Sequence, residues 1–144
     1  MAPESASGPS NHSRISSTSA SIAAAFEKVA APRDAWQAFD AATRAWPEEP
    51  VAWIGRGTAK YRQKDFEAAA ADYRSALERE PDNAGARNNL AMALLERGCP
   101  QAARRELDRI DAAHLGEGLR ESILDTDRLI ASSEARPDEA ACPR

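Results

Sequence analysis

An all-α fold built from repeated helix hairpins is predicted by three observations. Between its ends the chain is dominated by Ala, Leu, Glu and Arg, with Gly and Pro at isolated positions, a helical composition with almost no strand signal. The sequence repeats with a period of 34 residues. The two ends lack this pattern: residues 1–15 are rich in Ser, Pro and Asn, and residues 132–144 have no apolar periodicity. Neither end can repay the entropy of ordering, so both are expected to be flexible tails.

The period appears when the chain is written in lines that start at Ser16, Pro50 and Ala84, which divides residues 16–117 into 16–49, 50–83 and 84–117. The eighth column reads Ala23, Gly57, Ala91, and the twentieth reads Ala35, Ala69, Ala103. The twenty-fourth reads Phe39, Tyr73, Leu107, and the twenty-seventh Ala42, Ala76, Ile110. Two helices approach to about 8 Å only where small residues meet. Gly57 and Ala69 are therefore expected to face each other, whereas Ala70, one position round the helix, is expected to tolerate a larger side chain. The bulkier residue four places after the small one shares its face and packs on the next hairpin.

Each element follows in order. In the first line a helix reaches the Ala31-Pro32 turn, and Pro47 stops the second helix. In the second line the turn is Lys64-Asp65, with Asp65 placed to cap the helix that begins at Phe66, and Pro81 closes the line. In the third line Gly98-Cys99-Pro100 makes the turn, Pro100 enters the first turn of a helix expected to run to His114, and Leu115 replaces the closing proline. Leu119, Ile123, Leu124 and Ile130 then recur at helical spacing, so residues 118–131 are expected to form a helix that caps the array. Its acids Glu121, Asp125 and Asp127 argue against a membrane-surface helix.

Composition narrows the function classes. The 144 residues fit one domain, and 42% hydrophobic content supplies a core. The uncharged stretch 15–26 is Ser- and Ala-rich and too short for a bilayer span, which takes about 20 apolar residues. The N-terminal residues hold no apolar signal core, which predicts a cytoplasmic protein. A net charge of −4 gives no field to attract nucleic acid. The two cysteines, Cys99 and Cys142, are too few for a disulfide framework or a Cys-rich zinc site, and Cys142 falls in the tail not expected to order.

Chemistry finds no anchor in these residues. The histidines are His12, in the tail, and His114, at the far end of the helix that Cys99 opens, which separates them too widely for a Cys/His dyad. Cys99 is read as a turn residue whose helix-terminal thiol is at most mildly reactive. No His or Cys pair shares a helical face for metal, and acidic pairs such as Glu48/Glu49 and Asp125/Asp127 read as solvated surface. Arg104, Arg105, Asp108 and Arg109 read as an exposed helix face. The sequence predicts no catalytic residue, no cofactor and no metal.

At these columns the chain resembles the tetratricopeptide repeat family. The middle line, PVAWIGRGTAKYRQKDFEAAAADYRSALEREPDN, carries Trp53, Gly57, Tyr61, Phe66, Ala69, Tyr73, Ala76 and Pro81 of that signature. The first line departs with Ser19 and the third with Arg87 at the usual Trp position. Arg56 and Lys60 stand where many such repeats carry core residues, so their stems should snorkel or the middle groove should be more polar than usual. The resemblance implies a right-handed solenoid of three hairpins plus the cap, acting as a non-catalytic scaffold that binds a protein or peptide in its concave groove.

The groove positions implied by the resemblance include Ile54, Thr58, Tyr61 and Arg62 in the second line and Asn88, Met92 and Leu95 in the third. Asn89 stands where related arrays hold a ligand's backbone amide. The clamp that chaperone-binding members use for a C-terminal carboxylate is absent, since its places hold Ala20, Ala24, Gly55, Gly85 and Asn89. Chaperone tails are thus disfavoured, nucleic acid and membrane are not expected partners, and self-association is left open. A narrower similarity, to the repeat region of bacterial papain-like cysteine peptidases of the bacteriocin-processing type, implies the alternative of an accessory region supporting a peptidase or other enzyme.

Overall fold

A computed structural model describes residues 32–133 and 142–143. The expectations for the N-terminal tail, for Ala23 and the first helix of the first line, and for residues 134–141 lie outside the described residues. Among those described, every regular element is an α-helix: α1 (Pro32–Ala45), α2 (Pro50–Arg62), α3 (Phe66–Arg79), α4 (Ala84–Glu96), α5 (Pro100–Leu107) and α6 (Glu117–Ser133). Each of the first five packs on the next, α2 also touches α4, and α6 lies against both α4 and α5. None of these helices is long and apolar enough to cross a membrane.

The hairpin turns show the period at backbone level. In the first turn the amides of Gln63, Lys64 and Asp65 donate to the carbonyls of Ala59, Tyr61 and Lys60 at 3.2, 2.9 and 3.0 Å. In the second, Arg97, Gly98 and Cys99 donate to Ala93, Leu95 and Leu94 at 3.2, 2.9 and 2.9 Å. The middle residue is left-handed in both, Lys64 at φ 62° and Gly98 at φ 78°, a conformation without steric cost only for glycine. Asp65 caps α3 through Ala68 N at 3.2 Å, Asn83 caps α4 through Ala86 N at 2.8 Å, and Pro100 opens α5.

Small residues bury where the columns put them. Ala35, Ala69 and Ala103 are in the core together with Phe39, Tyr73 and Leu107. The close approaches, however, are of glycine to ring. A Cβ on Gly57 would lie 2.8 Å from Tyr73 and 3.2 Å from Asp72 Cβ, so those residues and not Ala69 are its nearest neighbours. A Cβ on Gly55 would lie 2.2 Å from the Phe39 ring. Ala70 is as buried as Ala69, at 0% exposure, and does not have the spare room expected of it.

Of the two alternatives expected at Arg56, snorkelling or a more polar interior, the structure takes the second: Arg56 makes a two-pronged ion pair with Asp72 (2.9 and 2.6 Å) and donates to Asp40 (3.0 Å) and Thr43 (3.1 Å). The Asp72 hydrogen bond, opposed by partial burial and helped by Asp40, raises the Arg56 pKa above its ordinary value. Arg56 and Arg79 both lie over the Trp53 ring, at 4.7 and 4.6 Å. Lys60 sits over Trp36 at 4.8 Å. Where α4 has Arg87 in the column that holds Trp53 on α2, that residue takes over the same task. Trp53 Nε1 donates to the Pro47 carbonyl (2.8 Å), and Arg87 Nη2 donates to the Pro81 carbonyl (2.6 Å).

The C-terminal part needs the most correction. α5 ends at Leu107, so His114 lies in an exposed turn and not at a helix end. In α6 the inward residues are Ile123, Thr126 and Ile130, while Leu124 is 50% exposed and faces solvent. Asp127 on α6 pairs with Arg104 on α5, so neither belongs to a free solvated face. Cys142 is ordered, because a disulfide joins it to Cys99 with a Cα–Cα distance of 5.7 Å. One disulfide staples the tail end to the α4–α5 turn, and Cys99 is therefore no reactive thiol.

Candidate functional site

The first helices of neighbouring hairpins, α2 and α4, converge with α3 on a cavity of about 160 Å³ lined by Thr58, Tyr61, Tyr73, Asn89 and Met92. Thr58 and Tyr61 lie one turn apart on α2, and Asn89 and Met92 one turn apart on α4, which is why each pair shares a face. Thr58 donates its one hydroxyl proton to the Ile54 carbonyl (2.9 Å). Thr58 Oγ1 also lies 3.2 Å from the Tyr73 hydroxyl, so the two hydroxyls share a hydrogen bond.

Tyr61 forms one wall. Its ring meets Phe66 edge-on at 5.2 Å, and its hydroxyl donates to Glu96 at 3.3 Å. Burial first, then the Glu96 carboxylate, pushes its pKa up to about 12. Burial likewise raises that of Tyr73, opposed by its Thr58 hydrogen bond and by the charge of Arg62 and helped by Asp72. The cavity thus offers two neutral phenols, an amide and a thioether.

Of the residues singled out from sequence, the structure brings together Thr58, Tyr61, Asn89 and Met92. Ile54 and Leu95 are half-buried, pack on the core and do not line the cavity. Arg62 is exposed and does not line the cavity. Asn88 is a correction: it is buried, and its amide donates to Ser122 on α6 at 3.2 Å, so α6 covers it. Tyr73 was missed, because its column holds Phe39 and Leu107 and reads as core; the hydroxyl that only Tyr73 carries there was the available signal. Cys99 and His114 are not brought together, and no cluster of metal-ligating side chains occurs among the described residues.

Two family models, both described as tetratricopeptide repeat, match the sequence, one over residues 22–75 and the other over 60–118. No curated protein matches the chain. The similarity to peptidase-associated repeats finds no support in these comparisons.

Proposed function

Because the chain belongs to the tetratricopeptide repeat family, whose repeats are in general protein-interaction modules, we propose that it binds an extended peptide segment of a partner protein across α2 and α4, without catalysing a reaction. The observation that carries this reading is the cavity lined by Thr58, Tyr61, Tyr73, Asn89 and Met92, open to a side chain and rimmed by hydrogen-bonding groups. An apolar ligand side chain enters beside Met92 and the Tyr61 ring. Asn89 holds a backbone amide of the ligand, and the exposed Arg62 meets an acidic or carbonyl group at the rim.

The test is selection of a displayed random-peptide library on the protein, followed by titration of the recovered peptides. Tyr61→Ala is expected to cost about 2 kcal/mol, roughly thirtyfold in affinity, and Asn89→Ala about 1 kcal/mol. Arg44→Ala on α1, far from the cavity and 78% exposed, is expected to change nothing. Full affinity in both cavity variants overturns the reading.

A further inference from the structure

A second and larger recess lies on the other face of α4. Helical spacing puts Arg87, Leu90 and Leu94 opposite Asn89 and Met92. These residues form the floor of a cleft of about 440 Å³ whose walls are Arg74, Leu77 and Glu78 from α3 and Ala102, Arg105, Glu106 and Arg109 from α5 and the residues after it. Apart from Arg87 the floor is leucine, and the rim carries Arg74, Arg105 and Arg109 against Glu78 and Glu106; Glu78 is paired with Arg79 at 3.8 Å.

Its charges do not balance. Glu106 is taken by Arg87 (2.9 Å) and Arg109 (3.4 Å). Arg74 and Arg105 meet no carboxylate among the described residues. What Arg105 does meet is main chain: its Nη2 donates to the carbonyl of Pro143 at 2.5 Å, and Pro143 lines the cleft. The cleft thus already holds one peptide group of the chain's own C-terminal segment, kept there by the bond between Cys142 and Cys99.

We propose that this cleft binds an acidic, extended peptide segment of a partner protein, and that the Cys99–Cys142 disulfide governs access by holding Pro143 in the cleft. Charge complementarity selects the partner: two guanidinium groups without a carboxylate, above a leucine floor, suit Glu or Asp alternating with Leu or Pro. Opening is thiol–disulfide exchange with a dithiol reductant. One thiolate of the reductant attacks Cys142 Sγ, since Cys99 is only 2% exposed, and displaces the Cys99 thiolate, which takes up a proton. The second thiol of the reductant then displaces Cys142. Two protein thiols and one oxidised dithiol result, with two electrons and two protons transferred. In a reducing compartment the cleft stands open, and in an oxidising one it is closed.

The probe is a fluorescein-labelled peptide of repeating Glu-Pro-Leu-Glu, titrated by anisotropy into oxidised and dithiothreitol-reduced protein. Reduced protein and Cys142→Ser are expected to bind it about tenfold more tightly than oxidised protein. In the Cys142→Ser background Arg105→Glu or Arg74→Gln is expected to lose that gain, while Tyr61→Ala keeps it. A peptide with Lys in place of Glu is expected not to bind. Arg74 meets no carboxylate among the described residues, so Arg74→Gln keeps the test alive should Arg105→Glu fold poorly. Equal binding by oxidised and reduced protein, no binding by either, loss on Tyr61→Ala, or equal binding of the Lys peptide overturns the proposal.

Discussion

The hairpins α2–α3 and α4–α5 share a turn and differ in almost everything that holds them to their neighbours. In the first, Arg56, Asp72 and Asp40 join three helices by ion pairs, Trp53 lies under two guanidinium groups, and glycines meet aromatic rings. In the second, the columns of Arg56, Gly57 and Tyr73 hold Leu90, Ala91 and Leu107, all buried, and the disulfide at Cys99 ties down the turn. The same hairpin backbone therefore accepts an arginine–aspartate pair or leucine at these columns, while Arg87 and Glu106 carry the ion pair of α4–α5 at other columns. What it requires is the left-handed turn residue and the small residues at the crossings.

The largest effect is expected from giving α2–α3 the residue of α4–α5. Arg56→Leu leaves Asp72, 6% exposed, without its cation, at a cost of about 3 kcal/mol for an orphaned buried charge. Asp40 keeps Arg44 as a partner at 2.5 Å and suffers less. Adding Asp72→Ala to Arg56→Leu should recover more than half of the loss. Urea midpoints of the three proteins check this, and a single-variant loss below that of the double variant would break the ionic account of the seam.

Next comes the glycine–ring pair. Gly57→Ala gains about 1 kcal/mol of helix propensity but places a Cβ 2.8 Å from the Tyr73 ring, an overpacking worth about 1–3 kcal/mol. Tyr73 is buried and its hydroxyl is tied to Thr58, so the ring cannot swing aside. The net expectation is a loss of about 1 kcal/mol. On a Tyr73→Leu background, which copies the Ala91/Leu107 combination, the same change should stabilise. A thermal-denaturation double-mutant cycle reads the coupling directly, and additivity would show that the two columns are independent.

The turns yield a smaller effect of known sign. Lys64→Gly removes a left-handed non-glycine residue and should stabilise by about 1 kcal/mol, while Gly98→Lys should cost about the same. Equal and opposite shifts in Tm would sharpen the equivalence of the two turns. No shift at Lys64 would mean that its side chain offsets the backbone cost.

How far the sequence discloses this molecule depends on the kind of constraint. The turns, the capping Asp65, the small-residue columns and the Phe39/Tyr73/Leu107 face are local backbone and packing requirements, and they leave a periodic trace. The Arg56 network leaves a fainter one: Asp40 and Asp72 stand 16 residues before and after it, a symmetry that would have pointed to pairing and not to snorkelling. The cavity was legible in Thr58, Tyr61, Asn89 and Met92 because α2 and α4 repeat one register. Asn88 was misjudged because its fate depends on how α6 docks, and α6 lies outside the period. The order at Cys142 was hidden because composition predicts the entropy of a tail but not a covalent bond that removes much of it.

The smallest expected effect concerns the two tyrosines, the only ones in the chain. Both belong to the α2–α3 hairpin, and α4–α5 has Leu95 and Leu107 in their columns. Tyr61 is held at a pKa of about 12, chiefly by burial and then by Glu96, and Tyr73 is raised by burial; an unperturbed phenol titrates near 10. The folded state thus binds these protons more tightly than the unfolded state does. Their contribution to stability is complete below about pH 10 and falls as the pH rises from about 10 towards 12. Phenolate absorbance should therefore stay low through pH 10 in native buffer and appear there in urea. Tyr61→Phe should flatten the alkaline loss of stability, while Leu95→Phe, at the matching place of the last hairpin, should leave its pH profile unchanged. Half-ionisation of the native tyrosines near pH 10 would show that the cavity wall is open to water and that α2–α3 is not the pH-sensitive hairpin.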